Sequence, residues 1–303
     1  MTNLNPQLSL FAERPSQPQR RPERLGRVDV KYTGVRDILT RATGFMDAYD
    51  FTLNPYAGCS YGCTYCYAAF FSHSPERRDS WGRWVDVKED AVERLRRRRG
   101  SLNGKRIYMS SVTDPYQPIE RQLRLTRGLL EGLAQHRPKL VVQTRSPDVV
   151  DDAELFREIV DLGGRVQVNM TVTTDDEEVR RTFEPFCPSN AVRLSAAREL
   201  RARGIETCVT MTPLLLVRNA RRFVEDLLNT GIRKFIVQPF HFQRGKFVAG
   251  TRDAALSLMA EKLSSDRKKF REAYLTHYRA VREVLMERLP ELGEGKEGFQ
   301  PPF

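Results

Sequence analysis

Cysteine, histidine and tryptophan are all scarce in this sequence: five, four and two in 303 residues. A small, odd cysteine count with no secretory-type apolar stretch excludes a disulfide-stapled extracellular domain and leads to the expectation of a cytoplasmic protein. No apolar run approaches the ~20 residues that span a bilayer, so no membrane partner is expected. No unit of roughly 20–50 residues repeats, which excludes solenoids and propellers. Glycine-rich phosphate loops are missing too. Acidic charge is the minority sign: 39 Asp and Glu stand against 50 Lys and Arg, a formal net charge of +11. That balance favours a polyanionic partner, nucleic acid first. Yet Arg96 to Arg99 is equally readable as a solvated helix face, and no recognised binding module accompanies it.

Three of the five cysteines fall within residues 51–68, FTLNPYAGCSYGCTYCYA. Cys59, Cys63 and Cys66 have the spacing C-x3-C-x2-C in a loop rich in glycine and tyrosine, after a short apolar strand. Three thiolates so close suit three irons of a 4Fe–4S cube, because soft sulfur ligands select such clusters. No fourth cysteine stands near, so one iron would be left for a small molecule. Gly58 and Gly62 suit a loop wrapped closely around a cluster, since glycine permits positive φ and close backbone approach. A zinc site with His73 as fourth ligand is the competing reading, but C-x3-C-x2-C is not a zinc-pair spacing.

With Tyr65 before its last cysteine, this loop resembles the signature of radical S-adenosylmethionine (SAM) enzymes. The wider string NPYAGCSYGCTYCYA, followed by VTDPYQPIE at 112–120, resembles the spore photoproduct lyase-like branch, over about residues 45–245. The resemblance implies a 4Fe–4S cluster on Cys59, Cys63 and Cys66. Its free iron would chelate SAM, and one electron would cleave SAM to a 5′-deoxyadenosyl radical that abstracts hydrogen from a substrate. It also implies an external electron donor of flavodoxin or ferredoxin type. The branch's lyases carry a hydrogen-donating cysteine just before the aspartate that matches Asp114. Here the stretch reads SSVTD, without a thiol.

Along the chain, residues 1–45 read as a flexible basic arm and lead-in, 46–250 as the core, and 251–303 as C-terminal helices and a loose tail. Strands are expected at 51–54, 105–110, 139–144, 165–173, 205–212 and 234–240, with helical patterns at 86–99, 120–136, 148–162, 189–203 and 219–230. Near-continuous apolar strands alternating with helices predict a parallel sheet covered by helices. Six strands are too few for an eight-stranded barrel. The expected fold class is therefore α/β, a partial (β/α)6 TIM-type barrel with a C-terminal helical extension, which is also the fold the resemblance implies. Helices in 251–289 are expected to close the open sheet edge.

Parallel α/β sheets bind ligands at the carboxyl ends of their strands. That rule selects Ser110, Ser111, Thr113 and Asp114 after the second strand, Arg145 after the third, and Thr171, Thr173 and Thr174 after the fourth. So many polar groups suit a zwitterion, although helix capping accounts equally for Ser110, Thr173 and Thr174. An arginine at the end of a buried strand should meet an anion, and a guanidinium pairs bidentately with a carboxylate. SAM has one, and the resemblance implies that Arg145 binds it. It likewise matches Thr171 to a fourth-strand hydroxyl, matches Tyr65 and Tyr67 to tyrosines of the branch, and places Tyr67 where the adenine is held. Asp114 is the further catalytic candidate, for the SAM ribose or the substrate. Trp81 and Trp84 beside the Arg94–Arg99 run could stack on single-stranded nucleic acid. Cys187 and Cys208 are too few and too far apart to bind a second cluster by themselves. Cys208, within the fifth strand, reads as a small core residue, and Cys187, in the proline-flanked EPFCPS, as a buried thiol or a redox group near the cavity mouth. The expected function is radical chemistry on a nucleic acid, for repair or modification. The alternatives are a small molecule or peptide substrate, and a non-enzymatic iron–sulfur protein that binds nucleic acid.

Overall fold

A computed structural model describes residues 21–72, 74–242, 250–263 and 269–303. In chain order its strands are β1 (Arg24–Leu25), β2 (Val28–Thr33), β3 (Leu39–Arg41), β4 (Phe51–Leu53), β5 (Tyr56–Gly58), β6 (Trp84–Lys88), β7 (Arg106–Met109), β8 (Lys139–Thr144), β9 (Arg165–Thr171), β10 (Glu206–Met211), β11 (Lys234–Val237) and β12 (Glu291–Glu294). Eight of them form one sheet in the order β12-β11-β10-β9-β8-β7-β4-β3. Its pairs are parallel from β4 through to β12, and only β3 runs antiparallel. The six expected strands are thus consecutive neighbours. The sheet stays open, because β3 and β12 lie at opposite edges.

Side chains alternate along these strands, so each strand serves two faces. Ile107, Met109, Leu140, Val142, Val168, Met170, Val209 and Met211 join the main core. They meet Leu129 and Leu133 of α4 (Leu125–Ala134), Phe156 and Ile159 of α5 (Ala153–Asp161), Leu200 of α7 (Asn190–Ala202) and Phe223 and Leu227 of α8 (Ala220–Leu228). Tyr108 and Val141, from the opposite face, belong to a separate apolar cluster with Ala42 and Tyr49. That second face turns polar toward the carboxyl ends. There Gln143 Nε2 donates to Thr171 Oγ1 (2.7 Å) and Thr210 Oγ1 (2.9 Å), and Asn169 Nδ2 donates to Gln143 Oε1 (3.3 Å).

Several elements differ from the sequence expectation. Residues 86–99 are not one helix: β6 alternates buried and half-buried side chains, and only α2 (Ala91–Arg96) follows. The helix expected over 120–136 is broken at Arg124, in the left-handed region at φ 49°, into α3 (Glu120–Leu123) and α4. The lead-in enters the core through strands and a helical turn at Gly44–Met46, and order reaches back into the expected arm at β1. β2 pairs with β6 in a second, four-stranded sheet of order β1-β2-β6-β5, while β3 joins the large sheet. Residues 1–20 of the expected arm lie outside the described residues.

Past residue 290 the chain is not loose. β12 pairs in parallel with β11 and covers the edge that the helices were expected to close. Beyond it Phe299 sits edge-on to Phe45 (5.6 Å between centroids) and Tyr108 (6.5 Å). The expected C-terminal helices are present as α9 (Asp253–Leu263) and α10 (Phe270–Arg288). Buried Tyr274 of α10 donates its hydroxyl to Leu214 O and accepts from Phe240 N, tying that helix to the chain after β10 and β11.

Candidate functional site

After β4 the chain crosses to the small sheet, and Cys59 follows β5 directly. Gly58 makes that corner at φ 77°. A Cβ there would lie 2.5 Å from two Trp84 ring carbons and the Trp84 carbonyl oxygen, so only glycine fits. Trp84 is held in place: its Nε1 donates to Arg77 O (2.8 Å), and the Arg77 guanidinium lies 3.7 Å from the ring centroid while gripping Asp86 through two bonds. Trp81 packs edge-on against it. Both tryptophans therefore buttress the cysteine loop and are not free to stack on bases. In the neighbouring arginine run, Arg94, Arg97 and Arg98 pair with Asp90, Glu93 and Asp37. The tryptophans thus serve as anchors, the other role open to them, and do not form an open stacking face.

The string DPYQPIE clamps the same loop from the other side. Ser60 N donates to Gln117 Oε1 (2.8 Å), and Thr113 Oγ1 donates to Gly58 O (2.6 Å). Tyr61 Oη donates to Tyr116 O, and Tyr116 Oη to Asp152. Glu120 accepts from Tyr56 Oη, Thr126 N and Arg127 N, and burial pushes its carboxyl up to about 7 despite those donors. Asp114 is also spent on the fold. Its Oδ1 accepts from Thr144 Oγ1 (2.7 Å) and Tyr116 N (2.9 Å), and its Oδ2 from Arg145 N (2.9 Å). Burial raises its carboxyl above the usual range. The residue expected to be catalytic thus anchors the end of β8. Ser111 accepts at its carbonyl from Tyr67 Oη and at its hydroxyl from Asn54 Nδ2.

Glu184, just past α6 (Glu177–Phe183), is the hub that sequence reasoning missed. Fully buried, it accepts from Arg193 Nη2 (2.5 Å), Arg145 Nη1 (3.0 Å), Thr173 Oγ1 (2.8 Å) and Tyr65 Oη. Burial pushes its carboxyl up, but the Arg193 and Arg145 charges more than offset this and hold it at about 2. The anion required by Arg145 is therefore supplied by the protein. Among the described residues the other guanidinium nitrogens of Arg145 make no hydrogen bond, and the side chain is 16% exposed. Tyr67 is 44% exposed. All the residues singled out for a cofactor are bonded within the protein, but Arg145, Tyr67, Ser111 and Thr113 retain exposure, whereas Tyr65, Thr171 and Thr173 are buried. Ser110 has φ 74°, and its buried hydroxyl has no partner among the described residues. The buried Ser60 hydroxyl inside the cysteine loop has none either.

The three loop sulfurs share one environment. Burial raises the thiols of Cys59 and of Cys66, the latter to about 12, against the pull of the Tyr61 and Ala68 backbone N–H groups. Cys63 is lowered, chiefly by its hydrogen bond with Cys187, whose sulfur lies 3.5 Å away. The positive charge of Arg145, Arg193 and Arg252 also acts on this set. A cube is gripped at separate corners, so three soft thiolates on one clamped loop suit a 4Fe–4S cluster with a free corner. The orphaned Ser60 hydroxyl offers one more polar group beside it. His73, the alternative ligand, lies outside the described residues. Cys208 is buried within β10, as expected of a core residue.

Comparison with known proteins places the chain. The Radical SAM superfamily matches residues 53–228. An uncharacterized protein of Methanocaldococcus jannaschii is 34% identical over 165 residues, 54% of this chain and 60% of that protein. An uncharacterized protein of Mycobacterium tuberculosis is 28% identical over 171 residues, 55% of this chain and 50% of that one. The chain thus matches little more than half the length of these relatives. Among solved structures, a spore photoproduct lyase mutant with bound AdoMet and dinucleoside spore photoproduct is similar in fold. Its TM-score is 0.56 at 14% identity, covering 88% of this chain and 81% of that chain. Another mutant of that lyase has a TM-score of 0.52 at 14% identity, with the same coverage.

Proposed function

The chain belongs to the radical SAM superfamily, and from that premise we propose that it is a SAM-cleaving enzyme acting on a nucleic acid, for repair or modification. Cys59, Cys63 and Cys66 would hold a 4Fe–4S cluster. One-electron reductive cleavage of SAM is the chemistry such a cluster supplies when bound, with the electron drawn from a flavodoxin- or ferredoxin-type donor. The protein's own part is placement. Trp84, Thr113 and Gln117 fix the cysteine loop. Glu184 holds Arg145, whose remaining guanidinium nitrogens would bind the SAM carboxylate; Tyr67 would lie on the adenine side, and Ser111 would be a further contact. Asp114, Tyr65, Thr171 and Thr173 act as positioning residues through the bonds they make.

The observation that carries this reading is the cysteine triad on a loop clamped from both sides beside an incompletely bonded arginine. A nucleic acid substrate is favoured by the net charge of +11 and by the similarity in fold to a lyase solved with bound dinucleoside spore photoproduct. A small molecule or peptide remains the alternative substrate class. The test is anaerobic reconstitution with iron and sulfide, followed by reduction in the presence of SAM. Chromatography should show 5′-deoxyadenosine formed by the wild-type chain and none by Cys63→Ala. Wild-type protein that carries a cluster yet leaves SAM intact would defeat the proposal.

A further inference from the structure

Cys187 lies outside the signature loop, and the proposed chemistry makes no use of it. Its sulfur is nonetheless 3.5 Å from Cys63 Sγ, with both side chains buried. The position is built. Buried Arg180 donates from one nitrogen to Glu184 O (3.0 Å) and Cys187 O (2.9 Å), and Arg193 Nε donates to Pro188 O (2.9 Å). On the facing loop, Thr64 N and its hydroxyl both reach Phe183 O. The turn bearing Cys187 and the loop bearing Cys63 are therefore locked together.

Of the loop sulfurs, Cys63 has a side-chain hydrogen-bond partner, the Cys187 thiol at 3.5 Å, in a pair where either sulfur could donate; with Cys63 bound to iron as a thiolate, Cys187 is the one that keeps a proton to donate. Hydrogen bonds to ligating sulfurs, like other groups just outside a cluster's ligands, withdraw electron density and favour the reduced state.

We infer that Cys187 is a positioning residue that donates its S–H to the cluster-bound Cys63 sulfur and so raises the cluster's reduction potential. This rests on the cluster assignment above. It makes Cys187 a tuner of electron acceptance and not a fourth iron ligand, which leaves the open corner to SAM.

The test is an EPR-monitored redox titration of anaerobically reconstituted wild type, Cys187→Ala and Cys187→Ser, with iron counted in each sample. In Cys187→Ala the cluster should load fully but titrate at a more negative midpoint, so that it is less than half reduced at the wild-type midpoint. Cys187→Ser, which keeps a donor, should return toward wild type. A cluster-free reading is available as well: diamide treatment of iron-free protein should link Cys63 to Cys187, detectable as a disulfide-joined peptide pair. An unchanged midpoint in both variants overturns the inference while leaving the cluster assignment intact. Loss of the cluster in Cys187→Ala overturns it in favour of a direct ligand, and no disulfide-joined pair overturns the geometry. A wild type that never takes up iron overturns both the inference and the cluster assignment.

Discussion

At Gly58 an added methyl group would meet the Trp84 ring and carbonyl at 2.5 Å, in backbone held at φ 77°. Gly58→Ala should therefore lower stability by about 1–3 kcal/mol. Reconstituted protein should also bind visibly less iron than wild type. A melting curve and an iron assay read both effects, and unchanged values in both would contradict the corner's role. Glu120 gives a pH prediction. Its carboxyl is raised to about 7 from an ordinary 4.5 by burial, so the folded chain keeps a proton that the unfolded chain releases. Stability should therefore fall as pH rises between those values, by on the order of 2–3 kcal/mol. Denaturant titrations of iron-free protein at pH 5 and pH 8 should show that slope in wild type and a flatter one in Glu120→Gln. Equal slopes would mean that another group titrates. Residue by residue, the cysteine triad was legible because its ligands lie within eight positions of one another. Glu184 and Cys187 were not, since they meet Tyr65 and Cys63 across 119 and 124 residues and no local pattern announces such pairs.

The parallel strands were legible because each is a short apolar run bounded by turn residues, and burial on both faces leaves that signature. β6 was hidden by its neighbour. Trp84-Val85-Asp86-Val87-Lys88 alternates with period two, but the arginine-rich stretch after it reads as helix and draws the boundary back. β12 carries almost no strand propensity in Glu-Leu-Gly-Glu. It forms because the open edge of β11 offers a ladder to pair with, a tertiary effect that overrides local preference. The short helix that follows delivers Phe299 against Phe45 and Tyr108, on the face that also carries the polar layer of Gln143 and Thr171. Phe299→Ala should therefore cost about 1–2 kcal/mol in a denaturant titration and leave iron content unchanged. A variant as stable as wild type would mean that this terminal segment does not support the sheet.

Across the whole molecule, charge and architecture address different questions. The open α/β sheet places polar groups at its carboxyl edge, where a ligand is expected. The net charge of +11 bears instead on whether the partner at that site is a polyanion. If that partner is a nucleic acid, affinity for single- or double-stranded DNA or RNA should fall steeply and linearly on a log–log plot as salt rises. Absence of binding even at low salt would favour a small substrate. Among the described residues no helix is long and apolar enough to cross a membrane. The central claim, that three thiolates grip a cube and leave its fourth corner for SAM, is tested most directly by EPR of the anaerobically reconstituted, reduced protein before and after SAM is added. A reduced 4Fe–4S signal that changes shape when SAM binds is the expected result. A signal indifferent to SAM, or a colourless protein holding zinc on Cys59, Cys63 and Cys66, would contradict it.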